Sequence, residues 1–323
     1  MKLSYSQISC YKTCPMQYRL RYVEGRETPP NASLSFGKSV HAALEWLYSV
    51  PTPHPATLEE LTDYLEECWI PEGFASPEEE ARYFYQARST LELYYRRNVL
   101  ETDEPFRIPA GLEHKFKVDV GFCTLSGVID RLDKNPEGAF EIIDYKTNRR
   151  LPPISRLRQD LQLPIYQIAA KKIWDVPVAR VTFHYLIHDQ KVSFIISPER
   201  EGEALAEIER VAGCIDRCEF EAEKNNLCPW CDFLSECALM RGTPSRKGSV
   251  TPPALEIGQA VDEYITATHR LQSATTRLEG LRVIIEEHLE QSQSTMVSGT
   301  FGEALIDSEG KLAIRHFTDA FSL

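Results

Sequence analysis

The sequence has no apolar stretch approaching the roughly eighteen consecutive residues of a membrane-spanning helix, so no span is expected. Its opening, "MKLSYSQISCYKTC", lacks an apolar h-region, so no secretory signal is expected either. A G-x-x-x-x-G-K-[ST] phosphate loop is missing, which excludes a P-loop ATPase motor on this sequence. Internal repeats and low-complexity tracts are also missing, which excludes a solenoid. Basic residues are in the minority: the formal net charge is −12, which argues against a nucleic-acid coat. Net charge does not describe a single groove, however. The expected compartment is a reducing cytoplasm, where nine cysteines read as free thiols and metal ligands rather than disulfides.

What is present is enough apolar material, 42 % of 323 residues, for one large domain or two smaller ones. Residues 4–22 are predicted helical, opened by Ser4 or Ser6 as N-cap, as are 34–50 and 76–99 on either side of a break at "PTPHP". The period then changes. In "EHKFKVDV", Phe116, Val118 and Val120 alternate with charged residues, as in a strand. "FCTLSGVIDRLDK" is a second strand, "NPEG" a turn and "AFEIIDYKT" a third strand. A helix at 155–174 and strands near 178–187 and 191–197 follow. The expected class is α/β, with helices against a mixed sheet. A Gly/Pro/Ser stretch, "RGTPSRKGSVTPP", separates this part from a long helical pattern at 255–291 and a hairpin at 295–316. Ile257, Val261, Tyr264, Leu271, Leu278, Ile285 and Leu289 fall near a 3.5-residue interval, interrupted by Thr268, Thr275 and Arg282. Those interruptions argue against a free coiled coil. They suggest a helix broken near Ser273 that folds on itself or on the preceding part, with Val297, Phe301 and Leu305 of the hairpin packed on it.

Asp130 follows "GVI" near a strand end, and Asp144 and Lys146 form Asp-x-Lys on the next strand. Strand residues two apart point to one face, so Asp144 and Lys146 share a face, and the turn can bring Asp130 beside them. Converging carboxylates suit a hard divalent cation such as Mg²⁺ or Mn²⁺. A neighbouring lysine can orient water and offset charge developing on a phosphate. Residues 146–158, "KTNRRLPPISRLR", carry five basic side chains and no acidic one, which suits either a solvated loop or a phosphate-binding patch.

"CPWCDFLSEC" places Cys228, Cys231 and Cys237 within ten residues. A tetrahedral metal or an iron–sulfur cube usually takes four thiolates. Cys10 and Cys14 are upstream candidates for the fourth, and Cys214 and Cys218 form another spaced pair.

"GVIDRLD", then "DYKT", then "LQLPIY", preceded by "GKSVHAALE", resembles the RecB-type branch of the PD-(D/E)xK nucleases over roughly residues 1–240. The resemblance implies a restriction-endonuclease-like core followed by a linker at 241–254 and a helical tail with a small hairpin at 255–323. It implies Asp130 and Asp144 as metal ligands with His41 as a further one, and Lys146 positioning or activating water. Gln162 and Tyr166 would contact the DNA strand or steady the lysine, and Glu113 and Glu45 would sit just behind the ligands. Tyr145 and Tyr166 are expected to stack bases. "SYSQISCYKTCPMQYRLRY" is similar to the first segment of the iron–sulfur members, which include CRISPR adaptation nucleases and the AddB-type helicase–nuclease subunit. There the ligand is the cysteine before proline, which implies Cys14 with Cys228, Cys231 and Cys237 around a [4Fe–4S] cluster. Structural Zn²⁺ stays open as the alternative.

The expected activity is therefore a Mg²⁺- or Mn²⁺-dependent deoxyribonuclease, exonuclease rather than endonuclease, on single strands or DNA ends. Repair, recombination and CRISPR adaptation are the expected settings, with a helicase as an expected partner. The alternative is a non-catalytic DNA-binding or scaffold subunit of a helicase–nuclease complex, and a small-molecule hydrolase on the same metal logic is a third reading.

Overall fold

A computed structural model describes residues 1–50, 54–102, 106–246, 253–300, 302–307 and 310–317. The chain divides into two compact units, Met1–Ala254 and Leu255–Leu323. The first unit holds a six-stranded mixed sheet: β1 (Lys2–Ser4), β2 (Gly111–Asp119), β3 (Thr124–Lys134), β4 (Phe140–Lys146), β5 (Val178–Tyr185) and β6 (Gln190–Phe194). β4 and β5 run parallel, β5 and β6 antiparallel.

Helices cover both faces. On one lie α1 (Tyr5–Thr13), the short α2 (Pro15–Tyr18), α6 (Ile154–Arg158), α7 (Gln162–Trp174) and α8 (Pro198–Asp216). Ile8, Leu163, Ala169 and Ile208 pack there against Ile142, Val181 and Phe183. On the other lie α3 (Ala32–Ser49), α4 (Leu58–Glu67) and α5 (Pro77–Tyr95), where Val40, Leu44, Leu61 and Leu91 join Ile143, Tyr145 and Leu186. The alternation along β4 assigns these faces: residues 142 and 144 look one way, 143 and 145 the other.

β3 is the central organiser. β2 pairs along one edge, from Asp119↔Thr124 to Gly111↔Leu132. The other edge is shared. β1 takes Thr124–Ser126 in parallel, and β4 takes Arg131–Lys134 antiparallel, the last pair on the open side being Arg131↔Ile143. Residues 127–130 therefore have no backbone partner on that edge. β4 leaves β3 at this point and continues beside β5 alone.

Several elements differ from the sequence expectation. The helix predicted over 4–22 is interrupted at Cys14, whose backbone is extended (φ −163°, ψ 114°), and α2 restarts with Pro15 at its first turn. Proline disfavours helical backbone in the residue before it. Ser4 is the N-cap, paired with Gln7 in a capping box. The helix predicted over 155–174 is two, α6 and α7. Asp130 lies inside β3 rather than near its end. β1, α4 and α8 add to the predicted set.

In the second unit the helix is continuous. α9 (Ile257–Ser292) runs 36 residues with no break at Ser273. Ile257, Tyr264, Leu271 and Leu278 are exposed along it, and Leu289 is buried. β7 (Met296–Ser298), β8 (Gly302–Ile306) and β9 (Leu312–His316) form a three-stranded antiparallel sheet rather than a two-stranded hairpin. Phe301 lies outside the described residues.

One glycine fixes the entry of α3. Gly73 has φ +94°, and a Cβ there would meet the backbone of Asn31, the α3 N-cap, at 2.7–2.9 Å. Gly73→Ala combines left-handed strain with a backbone clash, and should cost about 2–4 kcal/mol. A fall in the urea midpoint with an unchanged m-value checks it.

Candidate active site

The gap between β3 and β4 builds the site. Where the ladder opens, Asp130 Oδ2 accepts the N–H of Tyr145 at 2.7 Å, so a side chain replaces the missing strand partner. Continuing the two registers sets Glu113, Asp130 and Asp144 in one row across β2, β3 and β4. Glu113 has a left-handed backbone (φ 41°), rare for a residue with a Cβ and a form of strain that clusters at functional sites. His41 comes from α3, on the face opposite α7, and its Nδ1 reaches within 3.6 Å of Asp130 Oδ2. One ligand atom each from His41, Glu113 and Asp130 all lie within 4.8 Å of one another.

The lysine is held from the α7 side. Lys146 Nζ donates to Gln162 Oε1 (2.7 Å) and stands 2.5 Å from Asp144 Oδ2. Gln162 Nε2 donates to Asp144 Oδ1 (2.7 Å) and to the Tyr166 hydroxyl (2.8 Å). Glutamine is suited to this place because it carries an acceptor for the ammonium and donors for the carboxylate on one amide. Asp144 Oδ2 is buried, and the Lys146 ammonium is its charge partner.

The electrostatics fit a cation. Burial, and then the Asp144 charge, push the Asp130 carboxyl well above the usual carboxylate range, against the pull of the Tyr145 N–H and of Lys146. Glu113 is pushed up to about 7, by burial first and by Asp130 next. Burial lowers the His41 imidazole, favouring the neutral ring that ligates metals. Crowded, desolvated carboxylates with a neutral imidazole are costly alone and complementary to a hard divalent ion.

The sequence-predicted residues form two adjoining sets: His41, Glu113 and Asp130 group their ligand atoms within 4.8 Å, while Asp144, expected as a ligand, stands outside that group with Lys146, Gln162 and Tyr166. Glu113 stands with His41 and Asp130 rather than behind them. Glu45 is exposed one turn beyond His41, and its charge helps raise Glu113. The base-stacking expectation is corrected: Tyr145 is 4 % and Tyr166 6 % exposed. Tyr145 projects to the far face, its hydroxyl 3.1 Å from that of Tyr94, and Tyr166 packs edge-on to Phe116. Arg131, the next residue of β3 after Asp130, also lies on that far face, stacked on Tyr48 and paired bidentately with Asp133. Sequence reading singled out neither Arg131 nor Tyr94. Of the basic stretch, Arg150, Arg156 and Arg158 are exposed.

A second cavity runs alongside α1. Cys10, Cys14, Cys228, Cys231 and Cys237 line one cavity of about 480 Å³, with Trp230, Leu234 and Met240. The Asn225 N–H donates to Cys228 Sγ (3.2 Å), and Asn225 Nδ2 ties this loop to the Thr13 carbonyl (2.8 Å). Burial raises Cys231, and Cys14 and Cys228 add to the shift. Cys214 and Cys218 line a different cavity.

Two solved structures are similar in outline. One is a "Putative exonuclease" from Eubacterium rectale, 13 % identical with a TM-score of 0.45, covering 79 % of this chain and 91 % of that one. The other is SSO0001, 17 % identical with a TM-score of 0.31, covering 70 % of this chain and 95 % of that one. No curated protein matches the sequence. The PD-(D/E)XK nuclease superfamily is matched over residues 2–238, a span that contains the split in the sheet, the lysine and every thiol of the cavity. With its mixed sheet flanked by helices and its acidic centre at the parting of two strands, the chain belongs to the PD-(D/E)XK nuclease superfamily.

Proposed function

We propose that the chain is a Mg²⁺- or Mn²⁺-dependent deoxyribonuclease, acting on single strands or DNA ends, and an exonuclease rather than an endonuclease. The observation that carries this is the Lys146–Gln162–Asp144 arrangement beside the His41, Glu113 and Asp130 group. When bound there, a divalent ion supplies Lewis-acid chemistry and a nucleophilic water. His41, Asp130 and Asp144 would hold it, with Glu113 as a further carboxylate. Gln162 fixes the Lys146 ammonium at the edge of this group, where it can orient water and offset charge on the cleaved phosphate. Exposed Arg150, Arg156 and Arg158, on the segment that follows Lys146, are a phosphate-binding surface in this reading. Repair, recombination and CRISPR adaptation are the settings in which such an activity is expected, with a helicase as partner.

The same reading gives Cys14, Cys228, Cys231 and Cys237 to a [4Fe–4S] cluster. Zinc, the alternative, draws four thiolates to about 3.8 Å of one another, given Zn–S bonds near 2.3 Å. What supports a shared metal group is that these four thiols, with Cys10, line one cavity, and iron and zinc content of the purified protein distinguishes cluster from zinc.

The test is cleavage of end-labelled single- and double-stranded DNA by the purified full chain. Cleavage with Mg²⁺ or Mn²⁺, none in EDTA, and release of label as short products are expected. No cleavage of either substrate would favour the scaffold reading, and internal fragments would favour an endonuclease.

Residues 1–240 are proposed as the catalytic domain, 241–254 as its linker and 255–323 as an appendage. Truncation after Pro253 should then leave cleavage of short single strands within about twofold of the full chain, because every residue assigned a role lies before Met240. Loss of cleavage in a soluble, metal-replete truncation would make the tail part of the substrate channel.

A further inference from the structure

Tyr5, at the start of α1, donates from its hydroxyl to Asp160 Oδ2 at 2.8 Å. The other oxygen, Oδ1, accepts the backbone N–H of Gln162 at 2.7 Å. Gln162 in turn holds Lys146 and Asp144. Three hydrogen bonds therefore lead from the first helix to the lysine. Asp160 precedes α7, and Leu161, the residue flanking that helix, offers no side-chain cap. The first N–H groups of a helix have no helical acceptor, so the Asp160 carboxylate satisfies one of them and sits favourably at the positive helix end. The Asp160 carbonyl accepts from Arg200 Nη2 (3.1 Å), so the turn is held from α8 as well. Tyr5 also lines the thiol cavity, on the helix that carries Cys10 into it and is capped by Cys14.

We propose that Tyr5 and Asp160 are positioning residues that set the register of Gln162, and through it the Lys146 ammonium, and that they tie this register to the thiol-lined cavity. The proposal rests on the nuclease reading of Lys146 and Asp144. Its physical content is that Gln162 is the first residue of α7, where the backbone is least constrained. A shift of the helix start moves both arms of its amide together. Displacing a catalytic group by about 1 Å can cost on the order of a hundredfold in rate, so a partial shift on losing one hydrogen bond should cost about tenfold.

The experiment compares two conservative variants on the same helix. Tyr5→Phe removes the bond to Asp160. Tyr11→Phe removes an equivalent bond, from Tyr11 to the Glu219 carbonyl (2.6 Å), that leads away from the site. Tyr5→Phe should lower kcat on single-stranded DNA about tenfold with KM within about twofold, whereas Tyr11→Phe should leave kcat unchanged at a similar loss of thermal stability. Asp160→Ala should follow Tyr5→Phe, and Asp160→Asn, which keeps an acceptor for the Gln162 N–H, should recover part of the loss. If Cys14→Ser is soluble, the Tyr5→Phe/Cys14→Ser double variant should be no slower than Cys14→Ser alone, since both act through one path. Wild-type kcat in Tyr5→Phe, an equal fall in Tyr11→Phe, or additive effects in the double variant each overturn the proposal. Lys146→Ala is the control for the underlying reading: retained cleavage there removes the nuclease assignment itself, whatever Tyr5→Phe does.

Discussion

Asp144→Ala and Lys146→Ala should each lower metal-dependent DNA cleavage by about 10³-fold or more, with the fold retained. Asp144 is 2 % exposed and joins three functions on two oxygens. Oδ1 fixes Gln162, Oδ2 pairs with Lys146, and in the proposed reading the same carboxylate would also serve the cation. Removing it frees the Gln162 amide and leaves the ammonium without its anion. Removing Lys146 instead spares the carboxylates but leaves Gln162 Oε1 with no donor. Circular dichroism and a thermal melt should show a folded protein in both cases.

The carboxylate row adds a sign that a merely structural site would not give. A carboxyl whose folded pKa is raised costs stability once pH exceeds its unfolded value, and that cost grows until pH passes the folded value. Asp130 is raised by burial and by Asp144, so Asp130→Asn should abolish cleavage yet stabilise the metal-free protein in EDTA. The gain should be larger at pH 8 than at pH 5. Loss of stability at pH 8 would show that the Asp130 charge is already compensated without an ion.

The second large effect concerns the thiol cavity. Protein purified without oxygen should be brown, with iron and labile sulfide, and Cys14→Ser should lose the iron and much of the soluble yield. Cys214→Ser should do neither, because Cys214 belongs to the other cavity. The reason is loop closure. Cys14 lies more than two hundred residues before Cys228, and a link that closes so long a loop restrains the unfolded chain by about 5 kcal/mol in the chain-entropy relation. Cys10→Ser is the discriminating variant, since Cys10 lines the same cavity one helical turn earlier. Retained iron in Cys10→Ser and lost iron in Cys14→Ser give the fourth position to Cys14. One zinc per chain in a colourless protein would replace the cluster and keep the staple.

Much of the site was legible because strand periodicity carries direction. Asp144 and Lys146 share a face two residues apart, and the Asn135 turn returns β4 alongside β3, its side chain accepting the Ala139 N–H. The same parity also told against base stacking by Tyr145, which must point away from its two neighbours. The interruption at Cys14 was announced by Pro15. α8 carried its signal too: Ser197 and Pro198 open it, and Ala204, Ile208, Val211 and Ile215 recur at helical spacing. Other features have no local signature. β1 is three residues long and exists through its pairing with β3. The left-handed Glu113 and the parting of β4 from β3 arise from tertiary contacts, in a segment whose alternating pattern reads as regular strand. The continuity of α9 through Thr268, Thr275 and Arg282 reflects good helix-forming neighbours rather than a buried stripe.

The thiol cavity also sets a schedule for synthesis. Cys14 and its helix leave the ribosome long before Cys228, Cys231 and Cys237 do. At about 5–20 residues per second, the gap is roughly 10–40 s. During that interval the first helix can dock on the growing sheet, but its thiols have no completed cavity. A ligand shared by residues 14 and 237 could be captured only by a chain whose site-bearing strands have already been made, so occupancy of the cavity would mark the first unit of a nascent chain as ready to close.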